Sequence, residues 1–170
     1  MKVLGIDQGT AVLGYGVVEG GPGSTSRLLE CGTLTTTPRD TLSARLRVIH
    51  DGVSALIARH VPDALAVESA FHGKNVRTTI ALSHARGVIL LAGEEAALAI
   101  AEYSPAQVKK AVVGRGAAMK PQVSYMLAHL LHLKAAPSPS DAADGVAVAL
   151  THLLVAGHLE LFVRRTAAAR

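Results

Sequence analysis

At 170 residues, 49% of them hydrophobic, the chain is long enough for one domain that hides roughly 70% of its unfolded surface without disulfide staples; Cys31, its one cysteine, fits a reducing, cytoplasmic setting. The N-terminus lacks the basic flank and apolar stretch of a secretory signal, and no apolar run nears the roughly 18 residues of a membrane span, so no membrane partner is expected. Lysine and arginine total 17 against 13 acids, a formal charge of +4, which points to a polyanionic partner, a mildly basic enzyme being the plainer alternative.

In chain order, residues 2–7 form an apolar strand that ends on Asp7. Residues 12–18 form a second after a tight turn at Gln8, Gly9 and Thr10, with Gly14 and Gly16 permitting close backbone approach. Residues 27–35 are a weaker third strand beyond a glycine-rich loop, which completes an antiparallel meander. Leu42, Leu46, Ile49, Val53 and Leu56 recur at helical spacing, with Pro38 and Asp40 at the helix start. Residues 64–68 return to strand and close on Glu68, and residues 69–75 make a loop that carries Phe71, His72 and Lys74. A helix is predicted over 77–91 and a short fifth strand over 98–101, an order that implies parallel pairing. Ser104, Pro105 and Gln107 form a capping box with proline at the first helical position, so a helix starts there and stops at Gly114. Another begins at Pro121 and runs to about residue 133. Ser140 caps the last helix, whose first turn holds Asp141 and Asp144 on one face, among small residues that let it lie close to a sheet. Residues 158–163 extend it briefly, and residues 164–170 are expected to be a short basic, flexible tail.

Asp7, Glu68, Asp141 and Asp144 all sit in apolar settings. Four carboxylates brought together there repel one another unless cations or protons compensate. Hard oxygen ligands, with no Cys or His cluster at zinc spacing, favour magnesium or manganese. Two such ions about 3.5–4 Å apart can activate a water and stabilise the leaving oxygen of a phosphodiester, so phosphodiester hydrolysis is the candidate chemistry. Singly, each acid also fits a plainer role: Asp7 as a turn former, Glu68 as a surface residue at a strand end, Asp141 as a partner of the helix dipole. His129 and His132 stand at helical spacing without a third ligand and are read as structural.

The segments Gly5-Ile6-Asp7-Gln8-Gly9, Gly14-Tyr15-Gly16, Val67-Glu68 with Phe71, and Lys74-Asn75 are followed by Ala85-Arg86-Gly87, Gln107-Val108-Lys109, Val113-Gly114, Lys120, and Asp141 with Asp144. Taken together over about residues 1–155, they resemble the RuvC family of Holliday-junction resolvases. The resemblance implies an α/β, ribonuclease-H-like fold in a single nuclease domain over residues 1–163: a five-stranded mixed sheet, three antiparallel strands followed by two parallel ones, flanked by helices. It implies a homodimer that binds a four-way DNA junction and nicks two opposing strands symmetrically, in recombination and repair, with a branch-migration motor as a further partner.

The same resemblance assigns Asp7, Glu68, Asp141 and Asp144 as metal-binding catalytic acids for two Mg2+ ions per subunit, with Mn2+ able to substitute. In the expected partition Asp7 bridges both ions, Glu68 and Asp144 complete one site, and Asp141 supports the other. Lys109 and Lys120 match the family's basic positions near the scissile phosphate and are taken as catalytic. Phe71 matches a loop aromatic that stacks on or wedges against bases near the crossover, although a phenylalanine folded back onto the core is the plainer role. Lys74, Asn75, Arg77, Arg86, Lys110 and Arg115 are further candidate phosphate contacts. With Val108, Ala111 and Val112 on the apolar face of their helix, Lys109 and Lys110 are both expected to point to solvent. Two departures stand out: the family's usual proline after the first aspartate is Gln8 here, and the residue after the second acid, commonly glutamine, is Ser69.

Gly-Ile-Asp-x-Gly-Thr also resembles the phosphate loop of actin-like ATPases and sugar kinases, but 170 residues with no second Asp-x-Gly segment leave no room for a second lobe. A non-catalytic junction binder on the same fold has no need of four acids. A nuclease for RNA–DNA hybrids or pre-ribosomal RNA shares the fold and chemistry, and the loop aromatic with the basic helix positions favours the junction over it. The helix over 77–91, apolar on more than one face, is the candidate dimer interface.

Overall fold

Residues 3–6 are buried on both faces of the strand they form, which places β1 (Lys2–Asp7) in the middle of a sheet covered on two sides. The computed structural model describes the backbone of residues 1–21, 24–69 and 76–168, with side chains described as far as residue 157. β1 pairs antiparallel with β2 (Val12–Glu19), and β2 antiparallel with β3 (Arg27–Thr35). On the other side β4 (Ala64–Glu68) and β5 (Ala99–Tyr103) follow in parallel, giving the order β3-β2-β1-β4-β5. The five strands and their directions are those expected.

The helices divide between the faces. Leu4, Ile6, Leu13 and Val17 pack with Ile49 and Val53 of α1 (Leu42–His60) and Ile89 of α2 (Val76–Glu95). Val3, Val18 and Ala66 face Val108 of α3 (Pro105–Val113), Leu127 of α4 (Lys120–Leu130), and Val146 and Leu150 of α5 (Ser140–Ala168). α5 lies directly on the backbone of β1 and β2. A Cβ at Gly14 would collide with the backbone carbonyl of Asp141, and one at Gly5 with the backbone of Gly145 and Ala149. The glycines thereby fix where the first turn of α5 sits over the end of β1.

Several boundaries differ from expectation for local reasons. Thr41 caps α1, its Oγ1 accepting from Ala44 N at 3.3 Å, so Pro38 and Asp40 lie ahead of the helix. α2 runs on to Glu95 because the small residues Ala92 and Gly93 carry its buried face beyond Leu91. β5 reaches Tyr103 because Glu102 and Tyr103 keep pairing with Val67 and Glu68; the charge of Glu102 is tolerated at the sheet's exposed edge. α4 ends at Leu130, before a turn in which His132 takes a φ of 52°. Ala143 N bonds to Pro139 O at 3.2 Å, placing Ser140 inside the first turn of α5 instead of at its cap. The same helix continues to Ala168, through much of the stretch expected to be a flexible tail.

Candidate active site

β1 and β4 run parallel with Ile6 beside Val67, so Asp7 and Glu68, the last residues of their strands, emerge side by side at the carboxyl end of the sheet. This is where open α/β sheets hold ligands. α5 brings Asp144 over the same end, α3 supplies Lys109, and Lys120 comes from the first position of α4. With Pro105, Val108, Val123 and Ala147 these five line a cleft of about 210 Å³. A larger cavity of about 550 Å³, lined by Met1, Glu19, Arg27 and His132 among others, opens at the opposite end of the sheet; it gathers no comparable cluster of acids, and the chemistry belongs to the smaller cleft.

Burial and like charge act together on the acids. Asp7 is pushed from 3.8 to about 8, first by burial and then by Glu68 and Asp144, with Lys120 opposing. Glu68 is also raised by burial and by Asp144, against the pull of its hydrogen bond to Asp7 and of Lys120 and Lys109. Asp7 and Glu68 therefore share a proton. Lys120 donates to Asp144 Oδ2 at 2.7 Å, and that bond, aided by the charges of Asp144, Asp7 and Asp141, raises its own pKa. Val108 and Ala147 bury the Asp7 side of the cleft, whereas the Lys120 side chain is 69% exposed, so water weakens its pull on Asp144.

The three carboxylates of the cleft are thus offset by one proton between Asp7 and Glu68 and by the ammonium groups of Lys109 and Lys120, and among the described residues no three acids, histidines or cysteines are drawn close enough to enclose an ion as they stand. The donor set nevertheless fits a hard divalent cation. Among the described residues the cleft offers carboxylate oxygens with no thiol or imidazole. A cation can take the place of the proton between Asp7 and Glu68 and of the ammonium on Asp144.

The other predicted residues fall into distinct places. Asp141 is not part of the cleft lining; its backbone lies against Gly14 and its charge reaches Lys120. Lys109 corrects the expectation of a solvent-facing side chain, because α3 turns it into the cleft beside Glu68. Lys110 is exposed and borders a separate groove with Tyr103, Gln107 and Leu154. Arg86 is engaged with Glu102, its Nε donating to Oε2 at 2.9 Å, and Arg115 donates to Gln122 Oε1 at 3.4 Å. Arg77 stands exposed in the first turn of α2. Phe71, His72, Lys74 and Asn75 lie outside the described residues. Sequence reasoning missed the hydrogen bond between Tyr103 and His152, neither of which lines the cleft; only the step from strand to cap at Tyr103-Ser104 hints at the first of them.

A mixed sheet of this order, with carboxylates gathered from two strand ends and the helix that crosses them, defines a metal-dependent nuclease of ribonuclease-H-like fold. The model of the crossover junction endodeoxyribonuclease RuvC family matches residues 3–152, and the chain belongs to that family. It is 45% identical to the RuvC of Desulforamulus reducens over 152 residues, 89% of this chain and 93% of that one. It is 44% identical to the RuvC of Chloroflexus aggregans over 162 residues, 95% of this chain and 98% of that one. Among solved structures, Thermus thermophilus RuvC in complex with a Holliday junction substrate superposes with a TM-score of 0.88 at 38% identity, covering 93% of this chain and 96% of that one. The yeast mitochondrial Holliday junction resolvase Ydc2, at 13% identity and a TM-score of 0.69, shares the fold.

Proposed function

We propose that this chain is a structure-selective endonuclease that resolves four-way DNA junctions, nicking two opposing strands symmetrically in recombination and repair. The observation that carries the proposal is the convergence of Asp7, Glu68 and Asp144 with Lys109 and Lys120 in one cleft, in a chain 38% identical to a RuvC solved with its junction substrate. Asp7, Glu68 and Asp144 would hold the metal, with Asp141 in support at the start of α5, for two Mg2+ ions per subunit that Mn2+ can replace. Such ions, when bound, supply a water of lowered pKa and positive charge at the departing 3′ oxygen. The chain's own residues do the rest. Lys109 beside Glu68 and Lys120 beside Asp144 set positive charge where the phosphate gains negative charge.

Residues 1–163 form the nuclease domain in this proposal. Phe71 stacks at the crossover, while Lys74, Asn75, Arg77, Arg86, Lys110 and Arg115 place the phosphate backbone; Arg86 exchanges Glu102 for phosphate when DNA arrives. Two coordinated cuts call for a homodimer, and α2 supplies the surface: Val76, Ile80 and Leu91 are exposed, and Gly87 has open space beside it, all on one helical stripe. A branch-migration motor is the further partner, and the cytoplasm the setting. The test is Mg2+- or Mn2+-dependent cleavage of a labelled synthetic four-way junction beside linear duplex, RNA–DNA hybrid and single strand, with Asp7→Asn as control. Paired symmetric nicks on the junction alone are expected. Cutting of the hybrid or single strand would change the substrate, and binding without cutting would make the protein an architectural one.

A further inference from the structure

Asp7 and Asp144 are held relative to one another by backbone, because α5 beds into β1 and β2 at Gly5 and Gly14 with no side chain between. Glu68 lacks such a seat. It stands on β4, one strand nearer the open edge, where the strand meets α5 through Ala66 and not through a glycine. Beyond it lies β5, whose last residue, Tyr103, is the register partner of Glu68. The Tyr103 carbonyl accepts from Ser69 N at 2.8 Å, one residue past Glu68. The Tyr103 side chain is buried and reaches α5, its hydroxyl 2.9 Å from Nδ1 of His152 and the two rings edge to face at 6.0 Å. His152 is two helical turns beyond Asp144.

Burial lowers the proton affinity of the His152 imidazole and raises the pKa of the Tyr103 phenol. Both groups are neutral near pH 7, so the hydroxyl and Nδ1 share one hydrogen bond whose donor is set by the ring's tautomer. Apolar contacts alone let a helix and a strand edge slide against one another, whereas this directional bond fixes their offset. A catalytic constellation has to be held to within about 0.5 Å. We infer that Tyr103 and His152 are positioning residues: their hydrogen bond locks the strand pair that carries Glu68 to the helix that carries Asp144, and so sets the span of the two carboxylates around a divalent cation. Neither side chain lines the cleft. The inference rests on the metal-holding role proposed above for these acids.

The experiment is Mn2+ titration of the full chain followed by electron paramagnetic resonance, without DNA, beside thermal unfolding in EDTA. Tyr103→Phe is expected to weaken Mn2+ binding about 10-fold, the scale seen when a group that orients a metal ligand is lost. Junction affinity in EDTA stays as in the wild type. The double variant Tyr103→Phe/His152→Leu strands no imidazole, so it regains thermal stability, yet its Mn2+ affinity stays weak. Should the single variant fail to fold, the double variant carries the same comparison with the wild type. Unchanged Mn2+ affinity in Tyr103→Phe, or affinity that returns with stability in the double variant, overturns the inference alone. A wild-type chain that binds no Mn2+ overturns the metal-holding role itself, and this inference with it.

Discussion

Lys120 Nζ lies 2.7 Å from Oδ2 of Asp144, so the ammonium occupies the carboxylate that the proposed function gives to a divalent cation. In the proposed mechanism the same lysine also meets the scissile phosphate. Lys120→Ala therefore acts in two directions. Mg2+ binding tightens a few-fold, because a competing cation is gone, while junction cleavage slows by about 100-fold as positive charge at the phosphate is lost. The log–log salt slope of junction binding falls by about one. Calorimetric Mg2+ titration beside single-turnover kinetics measures both arms, and an unchanged rate would return Lys120 to the ordinary solvated surface.

Asp7 sets how the metal-free protein responds to pH. Its pKa rises from 3.8 to about 8 on folding, chiefly by burial, so between those values the folded protein keeps a proton that the unfolded chain has released. That contribution is fully present below the unfolded value and is lost as pH climbs through the folded one. In EDTA the folded state should lose on the order of a few kcal/mol of stability between about pH 5 and pH 8, read as a falling melting temperature. Asp7→Asn has no proton to lose and should melt with little slope across the same window, while cleaving at least about 1000-fold more slowly. Adding Mg2+ at about pH 8 should restabilise the wild type alone and release protons, which titrations in buffers of different ionisation enthalpy detect. Parallel pH slopes for both proteins would defeat this account of Asp7.

What was legible in the sequence was the logic of the two strand-borne acids. A carboxylate that ends an apolar strand is costly unless a proton or cation compensates it, and Asp7 and Glu68 both stand in that setting. The capping box at Ser104 and Gln107 was equally plain, because it satisfies local donors with local acceptors. Less visible was which way adjacent lysines turn. Periodicity placed Lys109 and Lys110 together on a polar face, and only the packing of α3 beside α4 and α5 sends one into the cleft and the other to a separate groove. The end of β5 was missed because Glu102 interrupts the apolar run, although an edge strand tolerates a charge that a central strand would not. The Tyr103–His152 bond joins residues 49 positions apart, a tertiary fact that no local pattern encodes.

The proposed dimer can be broken without disturbing the protomer. Ile80 is 52% exposed on α2, and a substitution at so open a place should change the protomer's own stability by no more than about 0.5 kcal/mol. Ile80→Glu places a charge in the centre of the apolar stripe. Sedimentation should then show a monomer, and junction cleavage should give single nicks in place of paired ones. A dimer that persists with Ile80→Glu and Leu91→Glu combined would move the interface off α2.

Gln8 presents a side-chain amide whose cost to stability a single substitution measures. Its amide nitrogen and oxygen are both buried with no hydrogen-bond partner among the described residues, and each such group costs about 1–3 kcal/mol. Gln8→Met preserves the length of the side chain and leaves nothing to satisfy. The melting temperature should rise by about 2–4 °C for each kcal/mol recovered, with the carboxylates of Asp7 and Glu68 untouched. A fall instead would show that ordered water completes both bonds, because removing an amide lowers stability only where the amide was already satisfied.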